Sequence, residues 1–242
     1  MASLLYRTKD ADLDQLVREL ASRTCGNTRR SLRLKAWKTT IYAPYAVKRL
    51  ADIAVSGLGM LLLSPLFLAI ALAVKASSPG PVFFTQVRVG RYGRHFNFYK
   101  FRSMRQNAEQ QKEGLLAQNE SKDGVIFKMK DDPRITRVGK FLRRTSLDEL
   151  PQLWNVFIGD MSLVGPRPPV PSEVEKYTLE DRKRLDVIPG LTCLWQIKGR
   201  SDIPFKEQVR LDKEYILASS VWKDIVILLK TIPAIIGGKG AY

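Results

Sequence analysis

The chain has 242 residues, with 40 Lys or Arg against 24 Asp or Glu and a formal net charge of +16. At 45% hydrophobic and 26% charged it is neither disordered nor collagen-like, and its length suits one domain with appendages or two small ones. Two cysteines, Cys25 and Cys193, exclude a disulfide-stapled scaffold and suit a reducing compartment.

The first 20 residues carry Arg7, Lys9, Asp10, Asp12, Asp14, Arg18 and Glu19 around no apolar core, so no secretory leader is expected. Residues 10–24 are predicted as an amphipathic helix on Leu13, Leu16, Val17 and Leu20, with a basic linker after it. Nearly all the excess charge sits in residues 29–108, which hold 14 Lys or Arg and a single acid, Asp52. Those basic residues bracket the one strongly apolar run, Leu50 to Val74, a pattern that points to an anionic membrane surface rather than to nucleic acid. As a straight helix the run would reach about 37 Å, enough for about 30 Å of hydrocarbon. However, Ser64-Pro65 interrupts it, and proline removes a helix hydrogen bond. The flanks, Arg29–Arg49 and Lys75–Arg105, each carry seven Lys or Arg and no acid, whereas a crossing helix would have its basic flank on one side. A helix that enters, breaks at Ser64 and Pro65 and returns to the same face is expected, with an ordinary kinked transmembrane helix as the other reading. The Ser64 hydroxyl is a candidate partner for the carbonyl that Pro65 frees.

Beyond the turn at Ser77–Pro81, two short strands are predicted at 82–84 and 96–99, joined through Gly90 and Gly93. Helices are expected near 103–118 and 205–218. A third, at 221–232, is too short to span a membrane and suits the interface through Trp222, Lys223 and Lys230. With a single histidine, His95, read as a loop or strand residue, neither a Ser-His-Asp triad nor a His-rich metal site is expected. No phosphate loop, CxxC pair or strand-linked GxGxxG occurs, and the Gly237–Gly240 stretch reads as a frayed end.

What remains is a dense stretch over 128–169. Ser146-Leu147-Asp148-Glu149 fits a capping box, or Asp148 caps a helix beginning at Glu149 before Pro151. Either register puts two carboxylates at a helix start beside Arg143 and Arg144. Acids there complement the helix dipole and need no chemistry. Equally, arginines beside an acidic pair can hold a diphosphate, and a carboxylate can attack phosphorus or hold Mg²⁺. Gly165 to Pro169 reads as a rigid turn that presents Arg167 in a fixed place.

These residues, with Lys48-Arg49-Leu50-Ala51-Asp52, Gly80 to Gln86 with Arg88 and Gly90, Tyr99 to Met104, Gly159 to Pro168, Pro189-Gly190-Leu191-Thr192, Trp195-Gln196, Gly199-Arg200, Asp212 and Tyr215, resemble the bacterial sugar transferases. That family comprises monotopic polyprenyl-phosphate glycosyl-1-phosphate transferases, which start exopolysaccharide, O-antigen and glycoprotein glycan assembly. The resemblance covers roughly residues 45–235. It implies an α+β, mostly helical fold: an extension over 1–45, a re-entrant membrane helix over 46–76, and a catalytic domain over 77–235 with short strands and interfacial amphipathic helices. It further implies a UDP-sugar donor, undecaprenyl phosphate as acceptor, Mg²⁺, release of UMP, and a place on the cytoplasmic face of the bacterial inner membrane. Asp148 would be the nucleophile and a metal ligand, and Glu149 its assistant. Arg143 would hold phosphate, Arg167 would contact the uridine end, and Lys100, Arg102, Gln196, Arg200 and Asp212 would complete the substrate site. Downstream glycosyltransferases are candidate partners, nucleic acid is not expected, and a homodimer is left open. Cys193 stands where the family usually has glycine.

Two rival readings stay in view. A non-catalytic membrane scaffold of polysaccharide machinery would use the acidic pair only as a helix cap. A membrane-attached nucleic-acid binder suits the charge but lacks base-stacking motifs.

Overall fold

The computed structural model describes residues 28–115, 129 and 132–237. The helix expected at 10–24 and residues 238–240 lie outside the described residues.

Two consecutive helices, α1 (Thr28–Leu62) and α2 (Ser64–Ser77), carry the apolar run. The stretch expected to be a basic linker is therefore helical from Thr28. The break falls where Pro65 predicts it, and Ala43–Leu62 and Ser64–Ser77 are bent against each other by 62°. Pro65 cannot donate to the Leu61 carbonyl, and Ser64 Oγ donates to that oxygen instead, at 2.8 Å. No single described helix is long and apolar enough to cross a membrane; the bent pair is, by length and composition. Leu50, Val55, Leu58, Leu61 and Leu62 of the first arm and Leu66, Leu68 and Leu72 of the second are exposed.

The start of the run is tied into the rest of the molecule by three polar residues. Lys48 pairs with Asp224 and also donates to Val164 O at 3.1 Å. Arg49 donates to the carbonyls of Val156 (2.6 Å) and Phe157 (2.7 Å), and the Asp52 carboxylate accepts from Leu163 N at 3.0 Å.

Strands β1 (Phe83–Val89) and β2 (His95–Phe101) form an antiparallel hairpin, in register from Phe83 opposite Phe101 to Val89 opposite His95. They are longer than the alternation alone predicts, and Gly93 (φ +80°) turns the chain between them. The helix expected at 103–118 starts only at Ala108 (α3, Ala108–Leu115), because Met104 bridges to Ile135 and Arg105 N donates to Arg134 O at 2.9 Å; residues 116–118 lie outside the described residues. Helices α4 (Arg137–Arg144) and α5 (Gln152–Ile158) lead to β3 (Ser162–Val164). Short helices α6 (Pro171–Val174) and α7 (Leu179–Arg182) precede β4 (Gly190–Thr192), which pairs parallel with β3. The chain ends in α8 (Leu194–Lys198), α9 (Phe205–Leu217) and α10 (Val221–Gly237), the last two close to expectation. The fold is α+β and mostly helical.

Two apolar clusters position the site. The larger gathers Phe98, Leu153, Val156, Met161, Val164, Leu211 and Ile227. The smaller joins Ile70 and Val74 of α2 to Phe101 and Leu142, with Leu147 and Leu150 packed against it. The residues on either side of the acidic pair thus rest on the second arm. Where β3 and β4 run together, a Cβ on Gly190 would lie 2.0 Å from Gly165 N. Gly190→Ala is expected to lower stability by about 3 kcal/mol, as over-packing against backbone does, read as a drop in thermal midpoint.

Candidate active site

Arg143 closes α4, whose first turn is capped by Thr136 Oγ1 accepting from Gly139 N at 2.9 Å. Its Nε donates to Ser103 Oγ at 2.9 Å. Ser146 then turns the chain with a left-handed backbone (φ 56°), and Leu147–Glu149 form one turn of 3₁₀ helix. Neither capping register expected from sequence occurs. Ser146 makes no side-chain cap, and the α-helix starts only at Gln152. The acidic pair is not a helix cap.

Asp148 and Glu149 are adjacent in sequence but unlike in surroundings. Glu149 Oε1 accepts from Lys100 Nζ and from Arg167 Nη2, each at 2.8 Å. Although burial alone would raise its pKa, Arg167 and Lys100 hold the Glu149 carboxyl well below the usual carboxylate range. Asp148 is 4% exposed, and Lys100 Nζ comes only to 3.7 Å of its Oδ2. Burial pushes the Asp148 carboxyl up; Lys100 opposes that, and the charge on Glu149 adds to it. Burial also lowers Lys100 and Arg143 below their ordinary values, against the pull of the two acids. Such a split separates a charged, fully partnered carboxylate from an under-partnered one.

A cavity of about 480 Å³ opens on the pair and brings Lys100, Arg143, Arg167, Gln196 and Arg200 to it, as expected from sequence. Arg200 holds a left-handed backbone there (φ 52°), and Gln196 Oε1 accepts from Cys193 Sγ at 3.2 Å. Cys193 is buried, which pushes its thiol up and leaves it unreactive. Two expected site residues do not line this cavity. Arg102 donates to the carbonyls of Ser78 (2.6 Å) and Pro79 (2.8 Å), fixing the turn after α2, and lines a second cavity. Asp212 lines neither cavity: it pairs with buried Arg184, and burial pushes its carboxyl up to about 6. Sequence reasoning missed Arg88, Trp195 and the α10 side chains Leu228 and Thr231 as lining residues. Arg88 was legible as a strand arginine on the face shared with Phe84 and Gln86, whereas the packing of α10 against the site left no local signal.

A protein-family model described as bacterial sugar transferase matches residues 43–238. The chain belongs to the bacterial sugar transferase family. The chain is 49% identical over 201 residues to the galactosyl transferase CpsE of Streptococcus agalactiae serotype III, covering 83% of this chain and 44% of that protein. It is 44% identical over 202 residues to the undecaprenyl-phosphate galactose phosphotransferase of Salmonella typhimurium, covering 81% of this chain and 42% of that protein. The exopolysaccharide production protein ExoY of Sinorhizobium fredii is 41% identical over 198 residues, covering 81% of this chain and 88% of the relative. The match takes in less than half the length of the first two relatives and nearly all of the third.

Proposed function

We propose that this sugar transferase moves a sugar-1-phosphate from a UDP-sugar to undecaprenyl phosphate, as the first membrane step of exopolysaccharide or related glycan synthesis. The observation that carries the reading is the unequal acidic pair: a buried, under-partnered carboxylate beside one saturated by Lys100 and Arg167. The names of its relatives, one an undecaprenyl-phosphate galactose phosphotransferase, support the substrate classes.

In the first step an Asp148 oxygen attacks the β-phosphorus of the donor. The bond from that phosphorus to the bridging oxygen breaks, and UMP leaves with the bond's electrons. In the second step a phosphate oxygen of the lipid acceptor attacks the same phosphorus, displacing Asp148 and forming the lipid diphosphate sugar. Glu149 holds Lys100 and Arg167 in place by its two ion pairs, and these cations, with Arg143, neutralise charge on the transferring phosphoryl group. A covalent intermediate lets a soluble nucleotide and a lipid phosphate use one carboxylate in turn.

Mg²⁺ fits the donor chemistry in a limited way. No group of three or more His, Cys, Asp or Glu able to hold a metal occurs among the described residues. Asp148 is the carboxylate of the pair not held by two cations, so an ion there would share its ligands with substrate phosphates, as Mg²⁺ commonly does. Bound so, it would neutralise diphosphate charge. The exposed leucines of the bent helix pair and the apolar outer side of α10 suit attachment to the cytoplasmic face of an inner membrane.

The test is UMP release from a panel of UDP-sugars, with undecaprenyl phosphate present and absent. One sugar should give UMP and a lipid product; no release from any donor would leave the scaffold reading in its place. Arg143→Lys and Arg167→Lys should each lose at least tenfold in kcat/KM, about 1.4 kcal/mol, because lysine lacks the planar fork that grips phosphate. Near-normal kinetics for Arg143→Lys would remove it from phosphate binding.

A further inference from the structure

A second cavity, of about 470 Å³, adjoins the one that holds the acidic pair. The two share a wall of Arg88, Lys100, Arg143, Arg167 and Trp195. Beyond that wall they differ in chemistry. The second cavity alone is lined by Arg102 and Arg184, whose buried Nε atoms have no hydrogen-bond partner, and it shares with the first the unpartnered Arg88 Nε and Trp195 Nε1. Arg184 and Trp195 are only 4% and 8% exposed, so these donors are shielded from solvent, and an acceptor brought to the cavity would find them unpaired. On β1 the two-residue period places Phe84, Gln86 and Arg88 on one face, and all three line this cavity: a ring, an amide and a guanidinium. Gln106 and Gln208 line it too. The cavity at the acidic pair has instead an apolar flank of Leu191, Leu228, Ala234 and Ile235. Three of these belong to α10, whose exposed side carries Trp222, Ile225, Leu229 and Ile232.

We infer that the two cavities divide the substrates: the second cavity takes the nucleotide of the donor, and the α10 flank takes the first isoprenes of a polyprenyl phosphate. Both phosphate ends meet at the shared basic wall. A uridine diphosphate is rich in acceptors and carries a planar base, which matches unpaired N–H donors, amides and a ring. A polyprenyl chain offers no acceptor to those donors, but it can lie along an apolar helix that continues to an exposed apolar surface. The inference rests on the proposed reaction and adds to it the placement of each substrate.

The experiment titrates UDP and undecaprenyl phosphate separately into the full chain in detergent micelles, read by intrinsic tryptophan fluorescence. Phe84→Ala combined with Gln86→Ala should weaken UDP at least tenfold and shift undecaprenyl phosphate less than twofold. Ala234→Phe, which fills the flank, should do the reverse, and Leu228→Ala should follow it in milder form. The ligand that each variant still binds serves as its folding control. The opposite pattern, or loss of both ligands in a variant whose circular dichroism is native, overturns the division. Because binding is read at equilibrium, the division is decided even if the unmutated chain releases no UMP, a result that would overturn the reaction alone.

Discussion

Asp148→Asn is expected to abolish UMP release while leaving the fold at least as stable as before. The activity loss follows from removing the attacking oxygen. The stability follows from burial, which raises the Asp148 pKa in the folded chain. Between its unfolded and folded values the native state binds more protons than the unfolded one, so ionisation opposes folding as pH rises through that window. A carboxamide of the same size removes that cost, and no helix cap is lost, because none exists. Glu149→Gln should also be severely impaired, but with the opposite effect on stability. The Glu149 pKa is depressed, so its contribution is present above the unfolded value and lost as pH falls through the folded one. A neutral amide at this position would leave Lys100 and Arg167 without their counter-charge, at about 2 to 3 kcal/mol after allowing for their partial exposure. Thermal unfolding at neutral pH should therefore rank Asp148→Asn at or above the unmutated chain and Glu149→Gln well below it. UMP release by the Asp148→Asn variant would end the covalent role of Asp148. A sugar-phosphate adduct on that residue, found by mass spectrometry, would be the positive counterpart.

Replacing Ser64 and Pro65 together by Leu is expected to yield one helix able to span a membrane, whereas the broken pair of the natural sequence is expected to leave by the face it enters. The 14 residues of the run before Ser64 reach about 21 Å and the nine after Pro65 about 14 Å, so neither arm crosses about 30 Å of hydrocarbon. The break rests on one missing N–H and on the serine hydroxyl that takes up the freed Leu61 carbonyl. With both changed, Leu50 to Val74 becomes an uninterrupted 25-residue apolar helix. Tyr45→Cys and Ala76→Cys, both at exposed positions, report the two ends in a Cys25→Ser background. Gly80 would be a poor choice of label site, since a Cβ there would meet Arg102 Nη1 at 2.2 Å. In the natural sequence neither end should react with an impermeant reagent added outside the cell; in the double-leucine variant one end should. External labelling of Tyr45→Cys without the leucines would refute the return to the entry face.

The broken helix was readable because proline chemistry is local, and a basic flank on each side is plain in the chain. The β1–β2 hairpin and α9 were likewise readable, from alternation and from helical periodicity. The local structure of the acidic pair was not. Ser146-Leu147-Asp148-Glu149 has the composition of a capping box, yet packing of Leu147 and Leu150 onto α2 draws the segment into a 3₁₀ turn. Arg102 and Asp212 were placed at the site because they stand among family motifs. The distinction between an arginine that clamps Ser78 and Pro79 and one that faces the acidic pair appears only in three dimensions. The unequal partnering of Asp148 and Glu149 is also a tertiary property, since Lys100 and Arg167 reach Glu149 from β2 and from the turn after β3.

The anchoring of the first arm by Lys48, Arg49 and Asp52 has a consequence for biogenesis. Their partners lie 176, 107 and 111 residues further along the chain, at Asp224, Val156 and Leu163. During synthesis the bent helix pair emerges long before those partners exist. The set is complete only once α10 leaves the ribosome, because contacts of such long range close late. The local Ser64 bond to Leu61, complete as soon as one helical turn has formed, is the part of the structure available to hold the bend during that interval.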